Sequence, residues 1–367
     1  MGTPLGDVGE FALIDHLAKA WQTARERWRA TSPYPNTEGA GGSLHGLGES
    51  CLRLGIGDDA AAIEVPQGKT LLTTTDMLVE GVHFLWSASR ARVLGRKALA
   101  ANISDIAAMG GVPAWAFLSI GVPPLTEVED VEKIYAGMGE MAANFGVVLA
   151  GGDTVRSEKW VISVTLLGIA YREPLTRKGG QAGDLILVSG SVGDSAAGLH
   201  VLLNDVERPY NGLREECEYL LSRHLDPTPR VGEAMALARH GDVTAMIDVS
   251  DGVASEIHHI CRDSACGACL ELARLPVSSQ AVKLASATGQ DALHWALYGG
   301  EDYELLFTAP PPAAPSLISY VKEITGTPVT VIGRLTGAGE GVVAAMQDKQ
   351  GQIVIPLPTK GYDHFSK

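Results

Sequence analysis

The chain has 367 residues, 46% of them hydrophobic and 20% charged, with a formal net charge of −14. This length predicts two domains, each with its own core, in a soluble globular protein. The acidic surplus argues against a nucleic-acid partner, and the sequence shows neither a membrane-length apolar run nor a basic-then-apolar leader in MGTPLGDVGE, so a cytoplasmic location is expected.

In chain order, EFALIDHLAKAW sets Phe11, Ile14, Leu17, Ala18 and Trp21 at helical spacing. Between Thr31 and Ser50, seven of twenty residues are Gly or Pro, which reads as a mobile loop. KTLLTTTD reads as a strand and VLGRKALAANISDIAAMG as a helix. AWAFLSIGV and WVISVTLLGIA read as strands flanking a helix around VEKIYAGMGEMAANFG, and VVLAGGDT as a short buried strand ending in a glycine turn. A domain junction is expected near Gly179, in RKGGQAGDLILVSG, dividing the chain into residues 1–178 and 179–367. The second half continues with VTAMIDVSDG and a helix, then ACLELARL, YELLFTA and PVTVIGRL as strands. The expected class is α/β of the mixed, α+β type, in two domains.

Five cysteines do not make a secreted disulfide framework. Cys261, Cys266 and Cys269 follow His258 and His259, but the paired CxxC modules of a strong zinc signal are missing. Buried structural thiols are the expectation, with Cys269 drawn into the core by its strand.

The acids carry the chemical signal. Asp59, Asp76, Asp153, Asp248 and Asp251 each sit where an apolar run meets a turn, and Asp105 lies one helical turn after Asn102. One such Asp is an ordinary cap or turn former. Five of them, beside Thr and Ser hydroxyls, match the hard oxygen shell that Mg²⁺ prefers. A polyphosphate would need such ions, because clustered carboxylates repel it. The sequence has neither a Walker A loop nor the protein-kinase motif set. The glycines of GGDT and VSGSVGDSAAG could present amides to phosphate, a weak signal by itself.

Eleven stretches then share one pattern: GEFALI, GIGDDAA, TTTDMLVEGVHF, KALAANISDIAAMGGVPAW, GGDT, LTRKGG, GDSAAGL, RHLDPTPR, DVSDGVASE, GGEDYELLF and KGYDHF. With them the chain resembles the thiamine-phosphate kinase family, in the ATP-binding superfamily that includes aminoimidazole ribonucleotide synthetase and selenophosphate synthetase. The resemblance runs from Gly9 to Phe365; the 31–50 segment is longer than the family pattern.

The resemblance implies ATP-dependent phosphorylation of thiamine monophosphate, and a homodimer whose N-terminal domains contribute strands to a shared β-barrel. It implies a multi-Mg²⁺ site from Asp59, Thr74, Thr75, Asp76, Asp105, Asp153, Asp248 and Asp251, with Asp76, Asp105 and Asp153 central to catalysis. Tyr135, Gly152, Asp153, Arg177 and Ser250 match nucleotide-binding positions, and His83, Glu301 and Tyr362 match thiamine phosphate positions. Each has a plainer reading beside it: His83 and Tyr135 as core residues, Arg177 as a solvated basic turn, Glu301 and Asp302 as an exposed acidic pair. Two other functions fit the acids alone. One is another ATP-using synthetase of the superfamily; the other is a metal-dependent phosphatase or a non-catalytic thiamine phosphate binder.

Overall fold

The computed structural model describes residues 3, 5, 8, 10–31, 46–56, 59–204, 212–348 and 351–359. Tyr362, Asp58 and most of the 31–50 segment lie outside the described residues. Two compact units emerge, one from Met1–Ala107 with Gly111–Pro174 and the other from Ala108–Gly110 with Leu175–Lys367.

The first unit holds α1 (Glu10–Thr31), α2 (Leu47–Cys51), β1 (Leu52–Leu54), β2 (Ala62–Ile63), β3 (Leu71–Val79), α3 (Ala91–Ala108), β4 (Gly111–Val122), α4 (Val128–Phe145), β5 (Val148–Arg156) and β6 (Val161–Ala170). Its main sheet runs β3-β6-β4-β5, antiparallel except for the parallel β4/β5 pair. Alternate residues of β6 are buried, among them Ile162, Val164 and Leu166, while their neighbours are half-buried. That period of two marks a sheet covered on one face and open on the other. Helix α1 packs along α4. Gly137 of α4 permits close approach to α3, because a Cβ there would stand 1.8 Å from the Arg92 carbonyl oxygen.

The second unit holds β7 (Leu185–Ser189), α5 (Asp194–Leu203), α6 (Arg214–Leu225), α7 (Val231–His240), β8 (Ala245–Asp248), α8 (Val253–Ser264), β9 (Gly267–Glu271), α9 (Ser279–Thr288), α10 (Ala292–Tyr298), β10 (Leu305–Ala309), α11 (Ala314–Thr325), β11 (Val329–Thr336), β12 (Val342–Asp348) and β13 (Gly351–Pro356). Its seven-stranded sheet runs β13-β12-β9-β11-β7-β10-β8 and is antiparallel except between β9 and β12. Strand residues Ile186, Val188, Ile247 and Leu306 pack with Ile257 and Ile260 of α8 in its core. Mixed sheets in both units agree with the α/β class read from the sequence.

Three local expectations are corrected. The strand holding GGDT does not turn at its glycines but continues through them to Arg156. The 31–50 segment is not loop at its end, since Leu47–Cys51 is helical. Cys269 is only half-buried: alternation on β9 buries Ala268 and Leu270 instead, and Cys269 falls on the other face. Cys261 is buried in the core of the second unit and Cys266 packs against that core, so two of the three clustered thiols do pack structurally.

Candidate active site

In the first unit, the site begins on β3. Thr74 and Asp76 alternate with buried Leu72 and Leu78 on the helix-covered face, where Thr74 Oγ1 donates to Asp105 Oδ2 of α3 at 2.5 Å. Burial pushes the Asp76 carboxyl up to about 6, with the charge of Asp105 as second cause. One turn before Asp105, Asn102 is fully buried; its amide donates to the Ala98 carbonyl at 3.1 Å, and its Oδ1 has no hydrogen-bond partner among the described residues.

Consecutive strand residues point to opposite faces, so Thr75 is separated from Thr74 and Asp76. The Thr75 hydroxyl accepts from Thr165 Oγ1 at 3.1 Å across the β3/β6 pair. Register carries that open face to Ser119 and Asp153, which are paired on β4 and β5. Asp153 is exposed, and its Oδ1 accepts the Thr154 N–H at 2.8 Å. Tyr135 is buried, burial pushes its hydroxyl up to about 12, and the neighbouring Thr154 side chain and Asp153 charge both act on it. Tyr135 is therefore both a core residue and a neighbour of Asp153. Gly152 sits against β4: a Cβ there would stand 2.0 Å from the Leu118 carbonyl oxygen. Asp59 is exposed in a bend.

The GVHF turn closes β3. His83 Nδ1 accepts the Val79 N–H at 3.0 Å, which leaves the proton of a neutral ring on Nε2. Beside this turn, Glu80 accepts the Trp160 N–H at 3.1 Å, and Trp160 stacks on Trp86 with centroids 4.2 Å apart.

In the second unit, two motifs lie side by side through their backbones. The N–H groups of Glu301 and Tyr303 donate to the carbonyls of Ser250 (2.7 Å) and Val249 (2.9 Å), and Val249 N–H donates to the Glu304 carbonyl at 2.8 Å. Ser250, expected on the nucleotide side, thereby adjoins Glu301, expected on the substrate side. Glu301 and Tyr303 have φ of 66° and 52°. Such left-handed backbone in non-glycine residues stores strain and concentrates at functional sites. Asp248 is buried at the end of β8. Asp251 donates its N–H to Glu256 Oε1 at 2.9 Å, and burial pushes the Glu256 carboxyl up to about 7. Arg177 is exposed, and its charge is felt by Glu256 and His259.

Asp302, expected as half of an exposed acidic pair, is buried, and several other residues of this framework escape sequence reasoning. Buried Asp302 accepts the N–H groups of Gly193 (2.6 Å) and Ser195 (3.0 Å), so these amides of the GDSAAGL turn are engaged by protein rather than offered to phosphate. Buried Glu304 accepts from Ser189 Oγ (2.6 Å), Arg223 Nη2 (2.9 Å) and Arg230 Nε (2.7 Å). The motifs GDSAAGL, RHLDPTPR and GGEDYELLF contain Gly193, Ser195, Arg223, Arg230, Asp302 and Glu304, but nothing in their spacing shows that they meet. Among the described residues, no three His, Cys, Asp or Glu side chains stand close enough together to hold a metal. The zinc alternative at the cysteines therefore finds no such group among them.

Residues 57–170 match the family model for AIR synthase related protein, N-terminal domain, and residues 181–345 match its C-terminal domain. The chain is 40% identical over 319 residues to the thiamine-monophosphate kinase of Escherichia coli (strain K12), which covers 86% of this chain and 93% of that one. A crystal structure of thiamine-monophosphate kinase from Stenotrophomonas maltophilia K279a superposes with a TM-score of 0.75 at 35% identity, over 92% of this chain and 96% of that one. A structure of AaThiL complexed with AMPPCP and TMP superposes with a TM-score of 0.69 at 32% identity, over 98% of each chain.

Proposed function

The chain belongs to the thiamine-monophosphate kinases of the AIR synthase related family, and from that membership we propose how its residues phosphorylate thiamine monophosphate with ATP. The products are thiamine diphosphate and ADP. The observation that carries this reading is the likeness across both units, which includes a relative solved with AMPPCP and TMP.

Thr74, Asp76 and Asp105 are proposed as the residues that would hold one Mg²⁺. The donor set fits such an ion: it is all oxygen, the Asp76 carboxyl is pushed up to about 6, and Asn102 Oδ1 is left unpartnered one turn from Asp105. A bound divalent cation would offset the repulsion between the two carboxylates and neutralise the triphosphate. Asp59, Thr75, Asp153, Asp248 and Asp251 are proposed as the residues that would hold further ions, which would offset the charge of the triphosphate. Tyr135, Gly152, Asp153, Arg177 and Ser250 are proposed for the nucleotide, and His83, Glu301 and Tyr362 for thiamine phosphate. His83 suits this role as a donor through Nε2, and Glu301 as a carboxylate facing a cationic thiazolium or an aminopyrimidine.

In the proposed step, a phosphate oxygen of thiamine monophosphate forms a bond to the γ-phosphorus while the bond to the β–γ bridging oxygen breaks, and that oxygen leaves with ADP. The attacking phosphate is already anionic, so no general base is required. The residues contribute positioning and charge stabilisation.

A homodimer is proposed from the open face of the first unit's sheet, where Leu71, Met77 and Val155 are exposed. Apolar side chains on an open sheet face support burial against a second copy, which is how a shared barrel would form. Among the described residues no helix is long and apolar enough to cross a membrane. Cytoplasmic work is proposed, supported by cysteines that form no disulfide among the described residues. Incubation with ATP, Mg²⁺ and thiamine monophosphate, followed by chromatography, should yield thiamine diphosphate and ADP in equal amounts. Absence of thiamine diphosphate would overturn the reading.

A further inference from the structure

The GGEDYELLF turn is held by a closed circuit of contacts that starts and ends on adjacent residues. Asp302 Oδ1 accepts the Ser195 N–H at 3.0 Å in the first turn of α5. Ser195 Oγ is hydrogen-bonded to His224 Nδ1 at 3.0 Å, and the same nitrogen stands 3.5 Å from Glu301 Oε2. Ser195 and His224 are buried, whereas the Glu301 side chain is 27% exposed. Glu301 therefore combines a long, rotatable side chain and a left-handed backbone with one wall that is fixed and polar.

We propose that His224 is a positioning residue for the substrate-side carboxylate. Held by Ser195, its ring keeps Glu301 aimed at the cationic thiazolium or the aminopyrimidine of thiamine phosphate. The inference rests on the reading that Glu301 meets thiamine phosphate. A carboxylate that wanders must be ordered by each arriving ligand, and that cost appears as weaker binding. A braced carboxylate is ordered beforehand. This gives the RHLDPTPR and GDSAAGL motifs a joint purpose, since each supplies one member of the circuit.

Steady-state kinetics on the full chain test both levels. Glu301→Ala tests the underlying reading and should raise the KM for thiamine monophosphate while sparing that for ATP. His224→Leu should raise the thiamine monophosphate KM about tenfold with kcat and the ATP KM unmoved, the loss expected for a contact to a charged group. His224→Asn, whose amide can replace Nδ1, should restore most of it. The double variant Glu301→Ala/His224→Leu should be no weaker than Glu301→Ala alone, because the two act as one unit. A raised KM in Glu301→Ala with an unchanged one in His224→Leu, or full additivity, overturns the positioning role and leaves the reading standing. An unchanged KM in Glu301→Ala overturns the reading and the inference with it. If His224→Leu fails to fold, Ser195→Ala, which removes only the hydroxyl, must raise the same KM; an unchanged value overturns the proposal.

Discussion

Thr74 Oγ1 of β3 and Asp105 Oδ2 of α3 are 2.5 Å apart, a hydrogen bond that ties a strand to the helix covering it beside the half-buried Asp76. A charge-assisted bond of this kind fixes where the Asp105 carboxylate points before any ligand arrives. Asp76→Asn and Asp105→Asn keep the shape of each side chain but remove one negative charge from the proposed Mg²⁺ position. Each should lower kcat by about 10²–10³, as loss of a preorganised charge contact does. Circular dichroism should show the native fold in both. Wild-type turnover at saturating Mg²⁺ would remove these residues from the mechanism.

Gly152 has a steric reason to be glycine that is independent of any nucleotide, since a Cβ would stand 2.0 Å from the Leu118 carbonyl oxygen. The obstacle is backbone in a paired strand, which cannot swing aside. Gly152→Ala should therefore destabilise the protein by about 1–3 kcal/mol, the range for overpacking, read as a lower urea midpoint. Gly68→Ala serves as the contrast: its φ of 73° costs strain, but nothing stands within 4 Å of the added atom. A Gly152 variant as stable as wild type would return that residue to a purely ligand-facing role.

The same glycine shows where sequence reading stops. Apolar spacing placed the helix that became α4 and the strands that became β4 and β6 to within a few residues, because their patterns are local. Two glycines before an acid read as a turn, yet the strand passes through them; the cause is the approach of β4, which no local window contains. The family resemblance implies TTTD as one ligand run, but the pleat divides Thr75 from Thr74 and Asp76. Asp302 read as half of an exposed acidic pair, whereas it is buried against amides 107 and 109 residues away. Long-range pairing of polar groups has no periodic signature.

Asp302 also makes a pH prediction. Burial pushes its carboxyl up to about 7, outweighing the Gly193 and Ser195 N–H groups and the Arg223 charge that favour the anion. The folded state thus binds this proton more tightly than the unfolded chain, whose aspartates titrate near 3.9. The stabilising contribution is complete below about pH 4 and is lost as pH rises to about 7, so this group makes unfolding free energy fall across that window. Urea titrations at several pH values should show that downward slope, and Asp302→Asn should flatten it. An unchanged slope in the variant would contradict the assignment.

The open sheet face predicts that assembly depends on Met77, which is 56% exposed on β3. Met77→Glu places a charge where a second copy would bury the side chain. Size-exclusion chromatography with light scattering should show a dimer for the wild type and a shift to monomer for the variant. A monomeric wild type, or a variant that still dimerises, would exclude this face as the interface.

The last prediction concerns the fate of the γ-phosphoryl group. The charge of Asp105 adds to burial in raising the Asp76 carboxyl, and a raised pKa alone would also suit an aspartate nucleophile. The proposed arrangement makes a different demand, because carboxylates engaged with Mg²⁺ are not free to attack phosphorus. The phosphate oxygen of thiamine monophosphate then makes its bond to the γ-phosphorus as the bond to the bridging oxygen breaks on the opposite side, in one displacement. One in-line displacement inverts configuration at phosphorus, whereas transfer through a phospho-aspartate inverts it twice and ends in retention. With ATP made chiral at the γ-phosphorus, the terminal phosphate of the thiamine diphosphate should carry inverted configuration. No ³²P should remain on protein incubated with labelled ATP alone. Retention, or a labelled protein formed without thiamine monophosphate, would make one of these carboxylates a nucleophile.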